Sequence, residues 1–244
     1  MSTEIRRRAC LRLVLPCLSL LLLAAAGCGA ARTTPQARAS EPAAAGATAA
    51  PSPGMSPAAR PSSGSPFLDR LVEAAVERTT FQVRYDPAYV PIPYPGGDVP
   101  ADTGVCTDEV IRSYRKVGVD LQKEVHEDMR ANFGLYPRAW GLSKADPNID
   151  HRRVPNLMLF FERQGASLPV TQSAADYRPG DVVTWDLGGG LTHIGIVVNV
   201  PSPADPGRMQ IVHNIGAGPQ LEDVLFAWKI TGHYRYTGPR GAGG

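Results

Sequence analysis

Apolar residues recur at helical spacing through the first part of the chain, then switch to the two-residue period of strands. Phe67, Leu68, Leu71, Val72, Ala75 and Val76 follow the Ser65-Pro66 pair. That pair reads as an N-cap with a proline in the first turn, so a helix is expected to about Arg78. Val110, Ile111, Tyr114 and Val117 continue one stripe from Cys106 and stop at Gly118. Leu121, Val125 and Met129 predict a second short helix, and Val154 to Gln164 a third that Gly165 closes. Residues 81–100 contain five prolines and predict extended or turning chain.

The second half is β-branched. The runs 181–186 (DVVTWD), 193–200 (HIGIVVNV) and 209–214 (MQIVHN) are separated by Gly188-Gly189-Gly190 and by PSPADPG, which predicts an antiparallel meander. Residues 231–236 (TGHYRY) add an edge strand. Helices first and a meander second define an α+β fold, with N-terminal helices packed on the sheet.

The flanks have a different character. Residues 1–28 carry a basic start ending in Arg12, an apolar run and small residues before Cys28. This reads as a secretory leader, and its apolar stretch is shorter than the ~20 residues a membrane span needs. The AAAGC ending resembles the bacterial lipobox, which implies acylation of Cys28 and a lipid anchor. In residues 29–66, Ala, Pro, Ser, Gly and Thr make up 32 of 38 positions, with no aromatic residue, so this segment is expected to be a disordered tether. The expected domain is 67–237, with a Gly-rich flexible tail over 238–244. The leader and tether carry a net charge of +5 against +2 for the whole chain, so residues 67–244 sum to −3, which disfavours nucleic acid as a partner. Cys10, Cys17 and Cys28 all lie in the leader. A disulfide-built domain is thereby excluded, because Cys106 is its one thiol.

Cys106 opens a helix, a position that favours the thiolate and so a nucleophile. His193 starts one strand and His213 ends the next, so both imidazoles are expected at the same edge of the sheet. With the Cys106 helix over that edge, a nucleophile, a base and an orienting group come together. Asp108 either orients the site or complements the helix dipole. Asp150-His151-Arg152-Arg153 reads either as a clamp for a substrate carboxylate, through His151, Arg152 and Arg153, or as a capping and salt-bridge cluster before the next helix. Trp185 is expected in the core or on the wall of a substrate groove.

The segments YPGGDVPADTGVCTDEV, RPGDVVTWD, HIGIVV and VHNIG resemble the NlpC-type superfamily of papain-like cell-wall cysteine peptidases and amidases. The resemblance implies Cys106 as nucleophile, His193 as base and His213 as third residue, with Asn214 as the alternative third residue. It also places Tyr94 and Gly96-Gly97 in the element upstream of the nucleophile, where the Tyr94 hydroxyl joins the Cys106 N–H at the oxyanion. Val105-Cys106-Thr107-Asp108 departs from that superfamily's usual Asp-Cys-Ser-Gly. The longer pattern YPGGDVP, GVCTD and NIDHRRVPNL closely resembles an exported bacterial family catalogued as domain of unknown function 1287.

Together these readings lead to an expected exported cysteine hydrolase that cleaves amide bonds in peptidoglycan peptides without a cofactor or metal. Acyl transfer on lipids or thioesters stands beside it, and so do two further rivals. One uses Cys106, His193 and His213 as zinc ligands; the other is a non-enzymatic cell-envelope lipoprotein with a vestigial site.

Overall fold

Ser65 leaves the extended region at Pro66, and α1 runs Pro66–Arg78. The computed structural model describes residues 62–239. The expected leader, Cys28, nearly all of the expected tether and the end of the tail lie outside the described residues. The Ser65 side chain makes no capping bond. Asp69, in the first turn, instead reaches back to the Ser63 N–H (2.8 Å) and the Ser62 hydroxyl (2.8 Å).

Extended chain follows, as the prolines predict. It contains a two-residue strand β1, Arg84–Tyr85, that pairs in parallel with β2, Thr103–Gly104. This pairing sets Tyr85 opposite Gly104, immediately before the second helix. Helix α2 spans Cys106–Lys116 and α3 spans Leu121–Ala131, where the Asp120 carboxylate caps the Gln122 N–H. A 3-10 turn at Asp150–Arg152 leads into α4, Val154–Arg163, which has a proline in its first turn.

The sheet is antiparallel throughout. Strands β3 (Val182–Gly188), β4 (Leu191–Pro201), β5 (Met209–Asn214) and β6 (Pro219–Glu222) follow one another as a meander, and β7 (Lys229–Tyr234) returns to pair with β3. The domain is therefore mixed α+β. Alternation splits its apolar residues between two cores. Val182, Ile194, Ile196, Val198 and Val212 face α1, α2 and α4, while Val183, Trp185, Val197, Ile211 and Ile230 face the other way, onto Tyr177 and Leu225.

Two glycines explain motifs visible in the sequence. Gly180 has φ +92°, and a side chain there would strike Leu68 of α1 at 2.8 Å. A Cβ on Gly195 would meet Ile211 Cγ2 at 2.6 Å and the Val212 carbonyl oxygen at 2.9 Å, so only glycine lets β4 and β5 approach here. The fully buried Asp181 after Gly180 accepts from Arg235 (2.7 and 2.8 Å), from the Arg178 N–H (2.8 Å) and from His233 Nε2 (2.8 Å). The Pro-Gly-Asp turn thus ties β3 to β7.

Candidate active site

Cys106 is the first residue of α2, and its neighbours fix how the helix begins. The Asp108 carboxylate accepts the Val105 N–H (2.7 Å) and is held by a bidentate pair to Arg152 (2.9 and 2.9 Å). Arg152 also donates to the carbonyls of Ala88 (2.9 Å) and Asp86 (3.2 Å), while the Thr107 hydroxyl donates to the Arg152 carbonyl (3.2 Å). Every nitrogen of this guanidinium is occupied internally. The 3-10 turn, the 86–88 segment and the start of α2 form one brace, with Cys106 at its end.

The Cys106 thiol is 5% exposed and faces β4, against the backbone N–H of Ile194. Burial pushes its pKa up to about 12, and the Asp108 charge adds to this. The N–H groups of Ile194, Thr107 and Cys106 pull the other way without prevailing. The expectation of a thiolate favoured by its helix position is therefore corrected: desolvation outweighs the partial charge of the helix terminus, and the resting group is a thiol.

His193, the residue before Ile194, is 2% exposed and alternates with it onto the other face of the sheet, beside Trp185. The expectation that Cys106 and the two imidazoles come together is therefore corrected: the thiol packs on the helix face and the imidazoles on the opposite one. His193 bonds through Nε2 to Nδ1 of His213 (2.8 Å). His213 Nε2 in turn meets Glu222 Oε2 (2.8 Å) on the edge strand β6. This chain of bonds sets both tautomers. As a carboxylate, Glu222 only accepts, so His213 carries its hydrogen on Nε2 and accepts on Nδ1; His193 then donates from Nε2. The nitrogen left as a base is His193 Nδ1. Burial, with His213 behind it, lowers the His193 pKa to about 3. Burial also lowers that of His213, while the Glu222 charge draws it back up. Glu222 was not found by sequence reasoning, because β6 is four residues long with Leu221 its one large aliphatic residue.

Trp185 is fully buried, donates from Nε1 to the Leu225 carbonyl (2.9 Å) and tilts against His193 with ring centroids 5.8 Å apart. It belongs to the core and supports the imidazole; a substrate cannot reach it. Trp228, also missed by sequence reasoning, packs edge-on against both His193 (5.8 Å) and His213 (6.2 Å).

Asn214 lies on the opposite face of the sheet. The register that pairs Gly195 with His213 sets Asn214 beside Ile194 one step further on, facing the helices like Val212. It is fully buried; Oδ1 accepts the Gly216 N–H (3.1 Å), and Nδ2 has no partner. A buried donor is thus left unpaired beside the strand position that touches the thiol.

The structure corrects two further expectations. Tyr94 is occupied elsewhere: its hydroxyl lies 3.4 Å from Glu127 and its ring stands edge-on to His126 at 5.0 Å. The tyrosine in the field of Cys106, Asp108 and Arg152 is Tyr85, whose pKa is pushed up to about 12, mainly by burial. Nor do His151, Arg152 and Arg153 form a clamp. Arg152 braces Asp108; His151 is buried, with Nδ1 unpartnered; and Arg153 stacks on Trp140 at 4.2 Å. The zinc reading loses its geometry as well. The two site imidazoles point at each other, and among the described residues no three His, Cys, Asp or Glu side chains converge as a metal site would require.

Burial also lowers the pKa of His151 to about 3. His151 and His193 therefore bind fewer protons folded than unfolded, where histidine titrates near about 6.5. Their stabilisation is full above that pH and is lost as pH falls toward the folded value. Thermal denaturation should show the melting temperature declining between pH 6.5 and about 4.5, above the ordinary carboxylate range. His151→Asn should flatten that decline; an unchanged slope would contradict the burial of a neutral His151.

The fold and site define a mixed α+β domain with a buried cysteine on one face of its sheet and a His–His–Glu chain on the other. The chain belongs to the family described as Domain of unknown function (DUF1287), which matches residues 72–236. It is 55% identical over 166 residues to the Uncharacterized protein YijF of Escherichia coli (strain K12), a match covering 68% of this chain and 80% of that protein. No solved structure matches it.

Proposed function

We propose that this protein is an exported cysteine hydrolase of papain-like, NlpC-type fold that cleaves amide bonds in peptidoglycan peptides. The supporting observation is Cys106 at the start of α2 against Ile194, with the unpaired Asn214 donor on the same face and the His193–His213–Glu222 chain one strand position away on the other face. The substrate carbonyl carbon is attacked by Sγ while His193 takes the thiol proton, so no free thiolate need be stored in the resting site. That transfer requires the imidazole to leave the Trp185 face and turn toward Cys106. The Cys106 N–H and Asn214 Nδ2 donate to the resulting oxyanion. The C–N bond then breaks, His193 returns the proton to the leaving amine, and a thioester remains on Cys106. Water attacks the thioester, giving one proton to His193; collapse releases the carboxylic acid and regenerates the thiol.

Asn214→Ala tests the oxyanion assignment. Loss of one such donor lowers kcat by about 10²–10³ with little change in KM. Unchanged kcat would remove Asn214 from the mechanism, and a wild type that turns over no cell-wall peptide would remove the hydrolase reading itself.

Export and anchoring rest on the leader sequence. Acylation of Cys28 would hold the enzyme at the membrane, with residues 29–66 giving it reach toward the wall. Cell fractionation should recover the wild type with membranes, and Cys28→Ser should be released or left unprocessed. Wild type found entirely in the soluble exported fraction would refute the anchor.

A further inference from the structure

A second cluster of ionisable side chains lies on α3 and the loop after it. An open cavity of about 730 Å³ is lined by His126, Arg130, Phe133, Lys144, Asp146 and other residues of the 141–148 loop. We propose that this cavity is an anion subsite that takes a peptide carboxylate against Arg130 and Lys144, with His126 accepting from the peptide N–H.

Three observations support the assignment. The first is how His126 is set: Nδ1 bonds to Asp150 Oδ2 (3.0 Å), and Asp150 is fully buried and also accepts the Asp146 N–H (2.7 Å). A carboxylate behind Nδ1 fixes the ring with its hydrogen there and leaves Nε2, on the far side of the imidazole, as an acceptor suited to a peptide N–H. The second is the balance of charge. Arg130 and Lys144 have no acidic partner among the described residues. The acidic residue in the wall, Asp146, is already occupied: Oδ1 accepts from the Asn148 amide and side chain (2.9 and 2.8 Å), and Oδ2 from the Tyr89 hydroxyl (3.0 Å). Two uncommitted cations suit an anion. The third is an unfinished set of polar groups behind the cavity. Asp150 Oδ1 and Arg153 Nη1 are buried without hydrogen-bond partners. Arg153 Nη1 needs an acceptor and Asp150 Oδ1 a donor, a pair that a ligand or water with both functions completes.

The cavity is also connected to the candidate active site. The 3-10 turn presents Asp150 to His126 and, two residues later, Arg152 to Asp108 at the start of the Cys106 helix. The extended segment from Tyr85 to Tyr94 follows the same path. Tyr85 lies in the field of Cys106, Tyr89 bonds to Asp146, and Tyr94 packs on His126; all three are partly exposed. One peptide lying along this segment would engage both ends. The choice of a peptide as the source of the anion rests on the hydrolase reading; the anion chemistry of the cavity does not.

Calorimetric titration of the full chain carrying Cys106→Ala separates the two, since it needs no turnover. The probes are N-acetyl-Ala-Ala with a free carboxylate, its C-terminal amide, and inorganic phosphate as the competing anion. The acid is expected to bind at least tenfold more tightly than the amide, and Arg130→Gln with Lys144→Gln is expected to abolish that preference. Both substitutions are on exposed side chains, so the fold is kept. Equal binding of acid and amide, or a preference surviving the double variant, would overturn the subsite. Phosphate binding in the absence of any peptide binding would overturn the peptide source. If the preference is found but the wild type cleaves no cell-wall peptide, the subsite stands and the hydrolase reading falls.

Discussion

His193→Ala is expected to reduce amide hydrolysis by at least ~10²–10⁴, the range associated with a positioned general base. The loss should sit at the upper end here, because the resting thiol is pushed up to about 12 and depends on the imidazole to accept its proton during attack. His213 is assigned only the orientation of His193, to which it bonds in the resting site. His213→Asn should therefore keep measurable activity, with the loss in kcat rather than KM. If His213→Asn were as inactive as His193→Ala, the division of roles between them would be wrong. Equal rates for wild type and His193→Ala would take the imidazole out of the chemistry altogether.

Arg152→Ala is expected to destabilise the domain by about 3–5 kcal/mol, the usual consequence of removing one partner of a buried ion pair. The side chains of Arg152 and Asp108 are each 2% exposed, so the orphaned carboxylate would have no water to turn to. The carbonyls of Asp86 and Ala88 would lose their donor as well, loosening the segment that carries Tyr85. Arg153→Ala makes the contrast. Its stacking on Trp140 is a partly exposed cation–π contact worth roughly 0.5–1 kcal/mol. Chemical denaturation of the two variants reads the difference directly. A stable Arg152→Ala protein with a raised KM would restore the clamp and refute the brace.

Helices α1 to α4 and strands β3, β4 and β5 were legible because each carries its own period. Leu68, Leu71, Val72 and Ala75 mark one face of α1, and the β-branched residues of β4 announce a strand without help from their partners. What stayed hidden depends on pairing between distant segments. Tyr85 and Tyr94 both precede Cys106, but it is the parallel β1–β2 pair that sets Tyr85 opposite Gly104, and a two-residue pairing leaves no periodic signal. Glu222 was hidden for the same reason: β6 is too short to alternate visibly, yet its register brings that carboxylate to His213. The state of the thiol was misjudged for a different reason. A helix start is a local feature readable from spacing, whereas the burial that overrides it comes from the whole sheet packed against α2. The Asp150–Arg153 run was ambiguous in sequence because an internal brace and a ligand clamp use the same residue types. Only the complete set of Arg152 partners distinguishes them.

Digestion of purified peptidoglycan, followed by mass analysis of the soluble products, tests the central proposal most directly. Wild-type protein is expected to release fragments whose masses correspond to addition of one water across a peptide amide bond. Cys106→Ala, folded to the same melting temperature, is expected to release none. Identical product profiles from the two proteins, or no fragments from either, would contradict a cysteine-dependent hydrolase.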